Sequence, residues 1–198
     1  MKIGLTGSIA CGKSTVSAYL RELGYAVVDA DAISHALTAP GGRALPALRC
    51  AFGDGVFSGA NLDRRALGTL VFSDTQKRVQ LNAILHPMII SEVADELSRL
   101  DGDNTLVFGD VPLLYECSME NMFDRVWVVA ASGNVQLERL MERDHLSKDE
   151  AQRRIDAQMP LAEKMRRADA VICSDGTIKE TQAQVLALTT QAHPRRRA

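Results

Sequence analysis

Residues Gly7 to Thr15 read GSIACGKST. Two glycines bracket four residues, and a lysine and two hydroxyls follow at once. This is the G-x-x-x-x-G-K-[ST] spacing of a loop that holds phosphate. Gly7 and Gly12 admit backbone conformations closed to other residues, so consecutive N–H groups can turn inward on an anion. A helix beginning near Lys13 aims its positive end at the same point. Lys13 adds a mobile charge for the outer phosphates, and the Ser14 hydroxyl suits magnesium. Glycine makes up about 7% of ordinary sequences, so the whole pattern is rare by chance in a chain of this size.

Holding phosphate is not yet a reaction. A GTPase switch needs a base-reading motif of the N-K-x-D kind, and none is present. No signature of a transport ATPase is present either. Three sets of residues are candidates for the chemistry opposite the outer phosphate. Asp29 and Asp31 end an apolar run, and ligands of open α/β sheets sit beyond the carboxyl ends of strands. If the first two strands are close, this pair lies beside the loop. Asp31 then either accepts the proton of an attacking hydroxyl or caps the helix that starts at Ala32. Asp110 ends a buried run and either holds magnesium, directly or through water, or is a turn residue before Pro112. The arginines Arg139, Arg143, Arg153, Arg154 and Arg166 include fixed donor forks for a transferring phosphoryl group, with one or two expected to serve there and most to be solvated helix surface. Arg139 and Arg143 lead because they share a helix face at i, i+4.

These residues need elements to place them. Apolar runs alternate with helical patterns, which predicts βαβ units and a parallel sheet. Strands are expected at Lys2–Thr6, Ala26–Val28, Asn104–Gly109, Arg125–Ala130 and Ala170–Cys173. Ser14–Leu23 is a helix with Val16, Leu20 and Leu23 on one face and Gly24 as its stop. A closing helix runs to about Gln191. Between the second strand and Asn104 the chain is mostly helical, punctuated by Pro40-Gly41-Gly42 and Gly53-Asp54-Gly55. Asp74–Leu100 has the length of one helix, but Pro87 is expected to end or kink it near His86. The interval is too long for a simple crossover and reads as an inserted subdomain that shapes an acceptor site. Gln136–Met165 is helical and arginine-rich, broken by Pro160.

The composition agrees with one globular domain. The chain has 198 residues, 46% hydrophobic and 24% charged, with a net charge of −2. No overall basic field points to nucleic acid, and Arg195-Arg196-Arg197 reads as a solvated end. No apolar run is long enough for a bilayer, and the start, broken by Gly4, Thr6, Gly7 and Ser8, is not expected to act as a signal peptide. A cytoplasmic location with reduced thiols is expected. Cys11, Cys50, Cys117 and Cys173 form no C-x-x-C pair, and the four histidines are scattered. Any metal is expected to arrive with a nucleotide. On spacing alone a kinase for another small acceptor, such as a nucleoside or a sugar acid, and a module that only senses ATP stay open.

Several motifs in order narrow this further: GLTGSIACGKST, LGYAVVDADAIS, PGGRAL, FGD, LDRRALGTLVFSD, LNAILHPMI, DVPLLYE, QLERLMERD and ADAVICSDGT. Together they resemble the dephospho-coenzyme A kinase family over nearly the whole chain. The resemblance implies transfer of the ATP γ-phosphoryl to the ribose 3′-hydroxyl of dephospho-coenzyme A, with magnesium. It implies a nucleoside-monophosphate-kinase-like α/β fold, with a five-stranded parallel sheet flanked by helices, a helical acceptor-binding insertion and a mobile lid. The core would comprise about 1–32, 103–140 and 168–198, the insertion about 33–102 and the lid about 141–167. ATP would be held by Gly7, Ser8, Ala10, Cys11, Gly12, Lys13, Ser14 and Thr15. By the same likeness Asp31 is the base or orienting carboxylate, and Leu62, Arg65 and His86 fall on the acceptor side. Asp110, Pro112 and Leu113 line the junction of the two substrates. Lys13, Arg139 and Arg143 join Asp31 in the chemistry, and Ser14 with Asp110 would hold magnesium. Three positions depart from the pattern. His35 stands where arginine is frequent, and Ser174 where asparagine precedes the D-G turn. Cys11 replaces serine or glycine, which puts a thiol at a helix N-terminus, a place that activates thiols.

Overall fold

A computed structural model describes residues 1–102 and 106–192. His193, the Arg195–Arg197 tail and the expected strand start at Asn104 lie outside the described residues. Two compact units divide the chain, Met1–Val28 with Glu96–Ala198, and Asp29–Asp95.

The first unit begins with β1 (Lys2–Gly7), α1 (Lys13–Glu22) and β2 (Ala26–Asp29). Helix α1 buries Val16, Ser17 and Leu20, and Gly24 ends it with a left-handed φ of 84°. After the second unit the chain returns with β5 (Val107–Asp110), β6 (Arg125–Ala130) and α6 (Gly133–Asp144). Then come α7 (Lys148–Asp156), α8 (Leu161–Arg167), β7 (Ala170–Cys173) and α9 (Ile178–Ala192). The five strands form one sheet in the order β2-β5-β1-β6-β7, and β1 runs parallel to both of its neighbours. Five of six β6 residues are buried, because helices cover a parallel sheet on both faces. Phe108 and Trp127 meet edge to face at 5.4 Å between centroids, within a core that includes Ile3, Leu5, Leu20 and Ile172.

In the second unit lie α2 (Ala30–Leu37), α3 (Leu45–Phe52), α4 (Arg64–Ser73) and most of α5 (Thr75–Leu100), with a small hairpin of β3 (Phe57–Ser58) and β4 (Asn61–Leu62). Its own cluster centres on Leu37, Ala44 and Leu48.

Four local expectations change. Strand β5 lies between β1 and β2, so the first two strands are not neighbours. The crossover from β2 is long enough to return to the middle of the sheet, which strand order in the sequence does not reveal. Helix α5 continues through Pro87. Proline removes one backbone donor, but Leu81, Ile84, Leu85, Met88 and Ile89 pack against the Leu37 cluster on both sides of it. The β3–β4 hairpin was not legible, because each strand has only two residues. The arginine-rich interval is three helices, and α7 starts with a capping box from Ser147 and Glu150.

Candidate active site

The phosphate loop leaves the buried end of β1 and enters α1. Gly7 has no room for a side chain, since a Cβ there would sit 2.6 Å from the Val129 carbonyl oxygen. Gly12 takes a left-handed φ of 79° as the residue before α1, a conformation that glycine adopts without strain. Ala10 is left-handed as well, at φ 61°. This winding turns the loop back on itself, and Cys11 N–H donates to the Ser8 carbonyl at 3.2 Å. Cys11 is fully buried, and desolvation pushes its thiol pKa up. The activating effect expected of the helix N-terminus is thus outweighed: Cys11 stays a thiol and packs.

Lys13 pairs with Asp110, and Ser17, one turn along α1, donates to the other Asp110 oxygen. Asp110 is 4% exposed, so these two partners offset the cost of burying its charge. It is the last residue of β5 rather than a turn residue after the strand. Ser14 is exposed at the start of the same helix. One alcohol and one carboxylate are hard oxygen donors, the type that magnesium takes together with phosphate oxygens and waters. The residues present therefore fit that ion.

The Pro112 carbonyl accepts from Thr6 Oγ1 at 3.0 Å and from Lys164 Nζ at 3.3 Å. Lys164 is fully buried. Its ammonium also pairs with Glu116 at 2.8 Å and reaches the Gly7 carbonyl at 3.4 Å. Leu113 is 39% exposed beside this buried junction.

Arg139 and Arg143 part company despite their shared helix face. Arg139 donates to Ser174 Oγ at 3.0 Å and to the Ser174 carbonyl at 2.7 Å. Ser174 Oγ in turn donates to the Cys11 carbonyl at 2.9 Å. Arg139 and Ser174 border a cavity of about 260 Å³ together with Gly12, Thr15, Ile178 and Thr181. Arg143 is exposed and binds its neighbour Asp144 at 2.8 Å. That hydrogen bond holds the Asp144 carboxyl below its usual range.

Asp31, Leu62, Arg65 and His86 all belong to the second unit. The capping alternative for Asp31 goes to a different residue: Asp29 is the N-cap of α2 and accepts from Ala32 N–H at 3.0 Å. Asp31 is exposed in the first turn of that helix. Arg65 is exposed on the first turn of α4, His86 is half-buried on α5, and Leu62 packs against the Leu37 cluster. His35 is exposed, and its carbonyl accepts from Arg64 at 3.2 Å.

Sequence reasoning passed over Ser17, Gln136, Gln158 and Lys164. Ser17 had a usable signal, since it lies at i+4 from Lys13 and so shares its face. The others had none, because the partners of Gln136 and Gln158 are more than a hundred residues away in sequence, as is the Gly7 carbonyl for Lys164, whose nearer partners Pro112 and Glu116 follow no helical or strand spacing.

A parallel sheet that feeds a lysine-bearing phosphate loop, with a buried aspartate at the end of the next strand, defines a phosphate-loop kinase fold. A family model described as dephospho-CoA kinase matches residues 1–180. The dephospho-CoA kinase of Geobacillus kaustophilus is 46% identical over 194 residues, covering 96% of each chain. A solved structure from Thermus thermophilus superposes with a TM-score of 0.82 at 38% identity, over 98% of each chain. The dephospho-CoA kinase of Campylobacter jejuni superposes at 0.77 with 28% identity, again over 98% of each. The chain belongs to the dephospho-CoA kinase family.

Proposed function

We propose that the chain performs its family's reaction, ATP-dependent phosphorylation of dephospho-coenzyme A at the ribose 3′-hydroxyl, the last step of coenzyme A synthesis. It does so by positioning and charge neutralisation, with no covalent enzyme intermediate. The observation that carries this reading is the Lys13–Asp110–Ser17 cluster at the mouth of the phosphate loop.

In this reading the loop N–H groups up to Thr15 and the positive end of α1 hold the triphosphate. Lys13 exchanges its Asp110 partner for the outer phosphates. Ser14 and Asp110 hold magnesium, which when bound neutralises charge on the phosphate oxygens. The cavity beside Arg139 and Ser174 takes the nucleoside end of ATP. Asp31 orients the acceptor hydroxyl and takes its proton, while Leu62, Arg65, His86, Pro112 and Leu113 hold the rest of the acceptor. The region 33–102 is the acceptor-binding part, and 141–167 carries the lid that excludes water from the transfer. No helix among the described residues is long and apolar enough to cross a membrane, and we place the reaction in the cytoplasm.

The test is ADP release from ATP and magnesium, with and without dephospho-coenzyme A. Release that depends on this acceptor, with coenzyme A as the product, is expected. Equal release with a nucleoside or sugar acid in its place, or none with any acceptor, overturns the reading.

The two arginines give a second expectation. Arg139→Ala removes charge-assisted bonds worth about 1.5–3 kcal/mol each and should raise KM for ATP about tenfold or more. Arg143→Ala should leave that KM within about twofold, since an exposed pair with Asp144 contributes little. Steady-state kinetics at saturating acceptor separate the two. Equal effects would return both residues to one role.

A further inference from the structure

The phosphate loop is held from behind by two glutamines that no motif singled out. Gln136 on α6 is buried. Its side-chain amide donates to Ser8 Oγ at 2.8 Å and to the Ile9 carbonyl at 2.8 Å. Gln158, between α7 and α8, offers its amide oxygen to two donors. Ser8 Oγ reaches it at 2.9 Å and the Ile9 N–H at 2.8 Å. The two side chains therefore bracket Ser8 and both polar groups of the Ile9 backbone.

The next residue is Ala10, whose φ of 61° is one that residues with a side chain adopt at a cost. Some contact must offset that strain when no nucleotide is bound. The glutamine bracket ends one residue before Ala10 and supplies such contacts. It also uses the Ser8 hydroxyl, which is 6% exposed with its residue, on protein partners rather than on nucleotide. The same stretch of chain is tied down again six residues on, where Lys164 reaches the Gly7 carbonyl. Met159 N–H donates to Glu116 at 3.1 Å, beside the Lys164–Glu116 pair.

We propose that Gln158, acting with Gln136 through Ser8, is a positioning residue that pre-forms the phosphate loop for ATP and roots the α7–α8 segment on it. The inference rests on the reading that this loop grips ATP. A preformed cradle spares the bound state the cost of ordering the loop, so the gain falls on nucleotide affinity. Acceptor affinity gains nothing. It also divides the region assigned to the lid: the chain from Gln158 to Lys164 is foundation, and closure is left to the residues before it.

Gln158→Leu keeps the volume and removes the acceptor. Loss of these two hydrogen bonds predicts an ATP Kd raised about tenfold, with KM for dephospho-coenzyme A at saturating ATP within about twofold. Calorimetric titration with ATP reads the first and initial rates read the second. A residue that only supports the fold would move both constants together. Ser8→Ala removes only the hydroxyl that joins the two glutamines and should raise Kd less. The double variant should bind ATP no more weakly than Gln158→Leu does by a factor of about two, because the two changes break one network. An unaltered ATP Kd in Gln158→Leu overturns the inference; should that variant not fold, an unaltered Kd in Ser8→Ala does so. A wild-type chain that releases no ADP in the acceptor assay strikes the underlying reading instead.

Discussion

Asp31→Asn is expected to lower kcat by about 10²- to 10⁴-fold, the range lost when a general base is removed, while ATP affinity changes by less than about twofold. The expectation rests on the division of labour at the start of α2. An aspartate at this place has a structural explanation available, helix capping, and Asp29 already fills it through its bond to Ala32 N–H. Asp31 follows two residues later, exposed in the first turn. The two carboxylates should separate cleanly by experiment. Asp29→Ala should lower stability by about 1 kcal/mol through the lost cap. Asp31→Asn should instead show its loss in kcat, by the factor given above, with ATP affinity kept. Near-normal kcat in Asp31→Asn would remove this residue from the chemistry.

Lys13→Ala is expected to cost at least about a hundredfold in kcat, comparable with losing one preorganised donor from a developing anion. It should also weaken the folded state. Asp110 is 4% exposed and shares its charge with Lys13 and the Ser17 hydroxyl. Taking the ammonium away leaves a buried carboxylate with one neutral donor, and breaking a buried pair costs about 3 kcal/mol. Thermal unfolding of Lys13→Ala, alone and combined with Asp110→Asn, distinguishes the two contributions. The second change should restore stability, because it removes the orphaned charge, and should not restore turnover. Full kcat in Lys13→Ala would take the phosphate loop out of the mechanism.

How legible the site was depended on the range of the interaction. Gly7, Gly12, Lys13 and Ser14 act within one turn of chain, so their spacing carried the geometry directly. Buried strands were legible for the same reason: RVWVVA is apolar at nearly every position, and β6 matches its expected bounds. Helix α5 does not end at Pro87, because proline reports only a local cost, while the Leu37 cluster that outweighs it comes from elsewhere in the chain. Cys11 shows the same limit. Its position beside a helix N-terminus suggested an activated thiol, and burial reversed that.

From residues alone came the phosphate loop, the parallel α/β architecture and, through several motifs in order, the family. All of these are properties of short segments whose backbone conformation or burial follows from their own composition. Tertiary structure alone decided that β5 lies between β1 and β2, and that Arg139 turns to Ser174 while Arg143 turns to Asp144. It also decided that Gln136, Gln158 and Lys164 converge behind the loop. Polar side chains at such separations have no periodic signature. Their partners are set by which helix packs where, and the apolar core makes that choice.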